Sequence, residues 1–493
     1  MRRSHERATS SWAPARWGLA AVTVGVIAGG CAGSSRGGGA GGDDGGGDDG
    51  SGTAGPAIGF ASASETIWEG TGMWPVEIVA SAPVAAAVRV DYQVASGVTG
   101  GRVDGLASGS VMIEAGQTTA ELVVPVVDDS AVQPPETVTL TLSVADDAAG
   151  GGDASPHTGM LNVHTLTLLD NDDLAWPGAT AIATADTAAQ FGENLSGLSY
   201  EPAAGAQPAT LWAVKNGPSI LYRLARSGAI WAPVTTDGWS AGKTLVYPDG
   251  GGSPDAEGVT RAELTSTAIY VATERDNDAG KISRLSVLRY DTAGAGTTLT
   301  ATHEWNLTAD LPAVDPNLGL EAITWVPDSA LVAQGFYDDH LARPYDPAQY
   351  PDHGTGVFLV GLEANGMVYA YALDHVHGGF QQLAAFPSNH VQVMGIDYDR
   401  DTGYLWTACD NNCNGDLAVL AVETNPRSAH HGHFVLRRAV DRPSGMPNLN
   451  NEDLAIAPDS ECTGGQKPVI WTDDSATDGH SLRTGSVPCG PAL

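Results

Sequence analysis

Two nine-residue phrases far apart in the chain share one plan and one leading acid. Glu321 opens EAITWVPDS and Glu452 opens EDLAIAPDS. Glu257 of DAEGVTRAEL holds the same place in a third phrase, while GLSYEP and GIDYD repeat the pattern with Ser196 and Met394 at that place. Acids recurring at one structural position near an inner strand would converge on a common axis, and carboxylates held together need protons or a cation. Oxygen ligands gathered in this way suit Ca²⁺. The alternative is that each glutamate only caps backbone amides inside its own unit.

Positioning these residues falls to the stretch 174–493. After each phrase comes a β-rich segment ending in polar residues: LWAVKNG, IYVATERDN, LVAQGFYDD, LWTACDNN and VIWTDDS. Partner strands such as SILYRL, SVLRYD, FLVGLE and LAVLAV follow. Units recurring at roughly 60–70 residues, with no amphipathic helical segment between them, read as a repeat architecture of small sheets. A few short strands cannot bury both faces alone, and radial stacking buries them against neighbours. The expectation is an all-β chain whose second part is a five- or six-bladed β-propeller, the stretch from Asp339 to Val393 leaving room for a sixth blade. Asn216, Asp276, Asn277, Asp338, Asp339, Asp410, Asn411, Asp473 and Asp474, at the ends of the second segments, are expected on one face.

Residues 57–173 read differently. VEIVA, VRVDYQV, SVMIEAG, AELVVPVV, TVTLTLSV and HTLTLL alternate with period two between Gly and Asp turns, which indicates a β-sandwich. Glu69, Asp104, Asp128, Asp129, Glu136, Asp170 and Asp172 fall at strand ends, where converging carboxylates suit Ca²⁺. Through WEG, GSVMIEAGQ, VVDDSAVQPPETVTLTL and LLDND, the whole segment resembles a Calx-β domain. That resemblance implies an immunoglobulin-like sandwich whose seven acids named above form a terminal calcium cluster. Gln133 with two prolines, and Gly105 after Asp104, depart from the family pattern and imply one ion or weaker binding rather than a full high-affinity cluster.

The second part resembles the phytase-like, esterase-like β-propellers of secreted bacterial proteins, and more loosely the calcium-dependent lactonase-type propellers. The carrying residues are NLSGLSYEP, DAEGVTRAEL, IYVATERDN, LGLEAITWVPDS, MGIDYD and NLNNEDLAIAPDS. The resemblance implies hydrolysis of phosphate, carboxylate or lactone esters, with a channel-bound Ca²⁺ as Lewis acid, an oriented water and a carboxylate as base. It makes Glu257, Glu321, Glu452 and Asp276 the candidate catalytic residues, and Arg275 and Lys243 the candidates for holding an anionic ester. The domain is poor in the cations that a phosphate-rich substrate would want. A non-enzymatic, calcium-stabilised protein that binds an envelope ligand is the rival expectation, because propellers host both kinds of function.

The N-terminus sets the expected compartment. Residues 1–31 have a basic start, a short apolar run and IAGGC, which resembles a lipoprotein signal with Cys31 as the lipidated residue. The Gly- and Asp-rich stretch 32–56 reads as a flexible tether. Such a protein would sit in the cell envelope or be secreted, meeting a membrane only through its anchor. Without Cys31, an even set of four cysteines remains, consistent with two disulfides. Cys409–Cys413 with Cys462–Cys489 is the simplest of three pairings, with a zinc site as the rival. The net charge of −34 excludes a nucleic-acid partner, which would need a basic patch.

Three further motifs carry little. Gly238-Trp-Ser240-Ala-Gly242 fits a nucleophile elbow only if a helix follows, and KTLVYPDG reads as strand and turn. Gly242-Lys243-Thr244 lacks the leading glycine of a phosphate loop, and His430, His431 and His433 read as an exposed loop.

Overall fold

The computed structural model describes residues 55–69, 72–96, 102–103, 105–127, 135–144, 155–159, 161–169, 176–178, 183–205, 207–426, 428 and 430–490. The expected signal with Cys31, nearly all of the tether, and Asp104, Asp128, Asp129, Asp170 and Asp172 lie outside the described residues. What is described is nearly all β, and no helix among the described residues is long and apolar enough to cross a membrane.

Residues 57–169 form two sheets. One orders Thr119–Val126, Gly72–Ala80, Ala57–Phe60 and His157–Thr158. The other orders Ser64–Trp68, Val163–Leu169, Glu136–Val144, Val88–Ser96 and Gly109–Ile113. Their strands bury alternate residues, as Trp74, Val76, Ile78 and Ala80 do along Gly72–Ala80. The two buried faces share one core, with Ile58, Ile78 and Val124 from the first sheet against Val90, Leu140 and Leu168 from the second. One-sided burial is what period-two alternation encodes.

From Ala183 onward there are five larger sheets, and strands within them are buried on both faces. Every residue of Gly356–Leu362 is buried, so alternation gives way to a continuous apolar run. Sheet 1 runs Leu195–Glu201, Thr210–Lys215, Ile220–Ser227, Lys243–Val246 and Thr298–Thr300, with Ile230–Pro233 alongside. Sheet 2 runs Pro254–Thr260, Ala268–Asp276, Ser283–Asp291 and His303–Asn306. Sheet 3 runs Leu320–Pro327, Gly356–Leu362, Met367–Leu373 and Phe380–Pro387. Sheet 4 runs Gly395–Asp399, Tyr404–Ala408, Leu417–Val422 and Phe434–Val440. Sheet 5 runs Leu454–Ile456, Gln466–Thr472 and Leu482–Pro488, and its fourth strand, Ala183–Thr184, comes from the start of the region.

The cores explain the two-sided burial. Each joins one sheet to the next. One core holds Val214 of sheet 1 and Val271 of sheet 2, and another holds Ala272 of sheet 2 and Val360 of sheet 3. Leu359 meets Leu405 between sheets 3 and 4, and Val419 meets Val469 between sheets 4 and 5. A fifth core sets Ile470 of sheet 5 against Leu211 of sheet 1, so the order is cyclic. The first strands follow the same circuit, with Leu454–Ile456 packed back onto Leu195–Glu201.

Two expectations are corrected here. LVAQGFYDD is not a second strand: Asp328–Gln334 is a helix, followed by the short pair Tyr337–Asp338 and Arg343–Pro344. The second strand of sheet 3 is Gly356–Leu362, and residues 328–355 form an insertion before it. The stretch from Asp339 to Val393 therefore holds the rest of this insertion and three strands of sheet 3, and no sixth large sheet is present among the described residues. The helix amphipathicity is confined to one buried residue, Leu331, too little to register as a helical period.

Candidate metal centre

The repeated phrases form the first strands, and in sheets 1 to 3 these strands are irregular at the same place. Register shifts fall between Leu195 and Leu198, between Ala256 and Gly258, and between Leu320 and Ala322. The residues inside them include Ser196, Glu257 and Glu321. A bulge re-aims its side chain out of the normal alternation. The adjoining glycines permit close packing of the first strands. A Cβ on Gly197 would lie 2.7 Å from the Cα of Gly258, and one on Gly258 would lie 2.8 Å from the amide nitrogen of Ile323. Successive first strands thus touch backbone to backbone, with their bulged residues side by side.

Two carboxylate triads result, Asp255–Glu257–Glu274 and Glu274–Glu321–Glu363. Within each, an oxygen from every residue lies within 4.8 Å of the others. Glu274 belongs to both. All five side chains are between 2 and 7 % exposed. Partners are few: Asn216 Nδ2 donates to Glu257 Oε2 at 3.1 Å, Gly319 N to Glu274 Oε1 at 2.6 Å, and Gln392 Nε2 to Glu363 Oε1 at 2.6 Å. Arg275 Nε lies 2.6 Å from Asp255 Oδ2, and the same guanidinium is 4.0 Å from Glu274.

One guanidinium does not neutralise five buried acids. Burial first, then Glu274 and Asp255 nearby, hold the Glu257 carboxyl well above its ordinary value. Glu321 is pushed well above for the same reasons, with Glu274 and then Glu257 as its largest neighbours. Glu363 is pushed up to about 7 by burial and Glu274. These groups hold protons unless a cation replaces them. The donor set consists of carboxylate oxygens, which fit Ca²⁺ and not the sulfur- or imidazole-rich surroundings preferred by zinc.

Of the predicted residues, Glu257 and Glu321 enter the triads through their shared neighbour Glu274. Glu452 belongs to neither, but lies near enough to both Glu363 and Glu274 that they raise its carboxyl, after burial, Asp474 and Asp410. Its Oε1 accepts from Asn450 Nδ2 at 2.8 Å. Arg275 is the cluster's cation. Asp276 is turned away: its Oδ1 accepts from the amides of Ser253 and Asp278, and Arg284 lies 3.8 Å from its Oδ2. Lys243 is placed elsewhere, fully buried in sheet 1 with Nζ donating to Gly294 O at 2.7 Å and lying over the Trp239 ring. Neither Asp276 nor Lys243 is positioned for the role expected of it.

The expected face of turn acids divides. Asn216, Asp410 and Asp474 border the hub. Asp338 instead binds Tyr350 and Asp339 pairs with His433, because both belong to the insertion. Their place in sheet 3 is taken by Glu363, which follows FLVGL. Glu363, Glu274 and Asp255 escaped the sequence reading. The available signal was positional: in each sheet an acid or amide lies within two residues of the end of the second strand, namely Asn216, Glu274, Glu363, Asp410 and Asp473.

In the N-terminal half, Glu69 and Glu136 flank the buried Arg102, whose Nε lies 3.5 and 3.7 Å from them. Cys462 and Cys489 lie at disulfide distance, with Cα atoms 6.1 Å apart, and Cys409 neighbours Cys413 with Cα atoms 5.9 Å apart, where Asp410 joins them in a potential metal-ligand group.

No protein-family model matches the chain, and no curated protein sequence matches it. Solved structures similar to it include the apo-form Calx CBD1 domain, at 18% identity over 24% of this chain and 98% of that one, with a TM-score of 0.21. The Calx CBD2 domain is similar at 13% identity over 24% and 88%, TM-score 0.21. A functionally unknown protein from Desulfotomaculum acetoxidans is similar at 12% identity over 59% and 69%, TM-score 0.26. Likeness this slight assigns neither a fold nor a ligand.

Proposed function

We propose that this protein is an exported, lipid-anchored, calcium-dependent hydrolase of ester bonds, with phosphoesters, carboxylesters and lactones as the candidate substrate classes. On this reading the five cyclic sheets are the blades of a β-propeller, and the two N-terminal sheets are a Calx-β-like sandwich. The observation that carries the reading is the pair of buried triads joined through Glu274.

Glu257, Glu274, Glu321 and Glu363 would hold Ca²⁺, with Asp255 tied to Arg275. Bound there, Ca²⁺ supplies Lewis-acid polarisation of a substrate oxygen. Glu452 stands beside the triads and outside them, which suits a general base that takes a proton from water. Burial, then Asp474 and Asp410, raise its affinity for protons. Arg275 balances charge in the cluster with Nε on Asp255 and Nη1 donating to Pro316 O, so an anionic ester would compete with those partners for it. In the N-terminal sheets, Glu69 and Glu136 would be calcium ligands, beside Arg102.

The second reading is a non-enzymatic envelope protein that binds a ligand and uses calcium only to rigidify the hub. The near-complete burial of the triads favours it, because a substrate needs an approach. The test is turnover of p-nitrophenyl phosphate, p-nitrophenyl acetate and simple lactones by the purified chain, with calcium and with chelator. The hydrolase reading expects calcium-dependent turnover that falls by about 10–100-fold in Glu321→Gln, the range seen when support around a metal is removed. Inactivity on every substrate, together with a melting temperature that calcium raises, selects the binding protein.

A further inference from the structure

A second site is built between sheets 2 and 3, at the strand ends remote from the triads. A cavity of about 430 Å³ opens there, in the size range of small-molecule pockets. Tyr270 and Glu274 lie four residues apart on the strand Ala268–Asp276. At roughly 3.3 Å per residue, the cavity is on the order of 13 Å from the hub.

Its floor is aromatic, formed by Trp325, Phe358 and the ring of Tyr270, which lies 4.5 Å from Phe358. Above the floor, the Tyr270 hydroxyl is 3.0 Å from His375 Nε2, and His375 Nδ1 is 3.3 Å from the carbonyl of Asp352. A carbonyl only accepts, so Nδ1 carries the proton and Nε2 accepts from Tyr270. Burial lowers the proton affinity of this imidazole, which keeps it neutral.

Arg289 forms the next wall. Arg261 pairs with Glu201, Arg284 with Glu304 and Arg483 with Asp473. Arg289, like Arg223, Arg400 and Arg442, has no ion-paired carboxylate among the described residues; it donates to Thr302 Oγ1 at 3.0 Å and also hydrogen-bonds the Tyr270 side chain. The remaining wall comes from the insertion of sheet 3. His353 Nε2 lies 3.1 Å from both Asp328 Oδ1 and the Tyr345 hydroxyl, and that hydroxyl donates to Asp328 at 2.8 Å. Burial opposes charge on His353, but the Asp328 carboxylate outweighs it and raises the imidazole above its ordinary value. Two acids reach the lining. Glu263 is occupied by the Thr355 hydroxyl at 2.7 Å, and Asp352 stands at the exposed rim.

We propose that this cavity is a second ligand site, separate from the carboxylate hub, for a small organic anion whose charged group meets Arg289 and whose apolar body lies on Trp325 and Phe358. A carboxylate and a phosphomonoester both offer anionic oxygens to the guanidinium, and the experiment separates them.

The test is isothermal titration of the full chain, in chelator, with phenylacetate, phenyl phosphate and neutral benzyl alcohol. At least one anion is expected to bind saturably, and benzyl alcohol at least about tenfold more weakly, the contribution of a charge-assisted contact. The tighter anion identifies the headgroup. Arg289→Gln should reduce anion binding to the level of the alcohol, while Arg289→Lys retains part of it. If Arg289→Gln unfolds, as its circular dichroism would show, the comparison of ligands on the unaltered chain decides. The proposal is overturned if neither anion saturates, if the alcohol binds as tightly, or if folded Arg289→Gln binds like the parent. Loss of binding in Glu321→Gln would also overturn it, by placing the ligand at the hub.

Discussion

Glu363 shows how a single buried acid links pH to metal. Its carboxyl is raised from 4.5 to about 7, chiefly by burial and then by Glu274. Between those values the folded chain holds a proton that the unfolded chain has released. Stability from this group is therefore complete below about pH 4.5 and declines as pH rises through 7. Glu257, Glu321 and Glu452 are shifted in the same direction and add to the slope. The expected outcome is that calorimetric melting in chelator falls between pH 5 and pH 8, relative to the same scans with calcium. Parallel curves with and without calcium would show that no cation replaces these protons.

Among the strands, close approach decides the site. Gly258 packs against the first strand of sheet 3, and a Cβ there would come 2.9 Å from Glu321 O as well as 2.8 Å from Ile323 N. Both obstacles are backbone and cannot rotate away. Gly258→Ala should therefore force the two first strands apart, at a cost of about 1–3 kcal/mol by analogy with overpacked cores. Because Glu321 sits on the displaced strand, calcium stabilisation should fall together with the denaturant midpoint. A midpoint equal to the parent's would mean that the strands yield without cost.

At the scale of the whole molecule, sheet 5 is completed by a strand from the opposite end of the region. Ala183 and Thr184 pair with Thr484 and Arg483, and Asp186 accepts from Ser481 N at 2.8 Å and pairs with His480. Removing residues 174–186 would expose the long edge strand Leu482–Pro488, and an unpaired edge is a template for another chain. The shortened protein is expected to melt several degrees lower, and to elute as larger species on size exclusion. A monomer of unchanged stability would mean that the strand contributes nothing to closure.

Much of this order was legible in the linear chain. The phrases at GLSYEP, EGVT, EAITW, GIDYD and EDLAIAP begin or adjoin the first strands of the five sheets, because strand alternation and turn residues are local properties. Glu257 and Glu321 stood out because each repeats a position. The insertion was misread, since its seven-residue helix buries only Leu331 and shows no period. Glu274, Glu363 and Asp255 could not be singled out, because bulges and the cyclic packing decide where those carboxylates point. The same tertiary arrangement turned Asp276 towards backbone amides and sealed Lys243 beneath Trp239. The sequence by itself determined the strands, their spacing and the acidic excess, all encoded by neighbours in the chain. Which acids share a buried hub was decided only when strands tens to hundreds of residues apart came within a few ångströms, where burial and like charge act together.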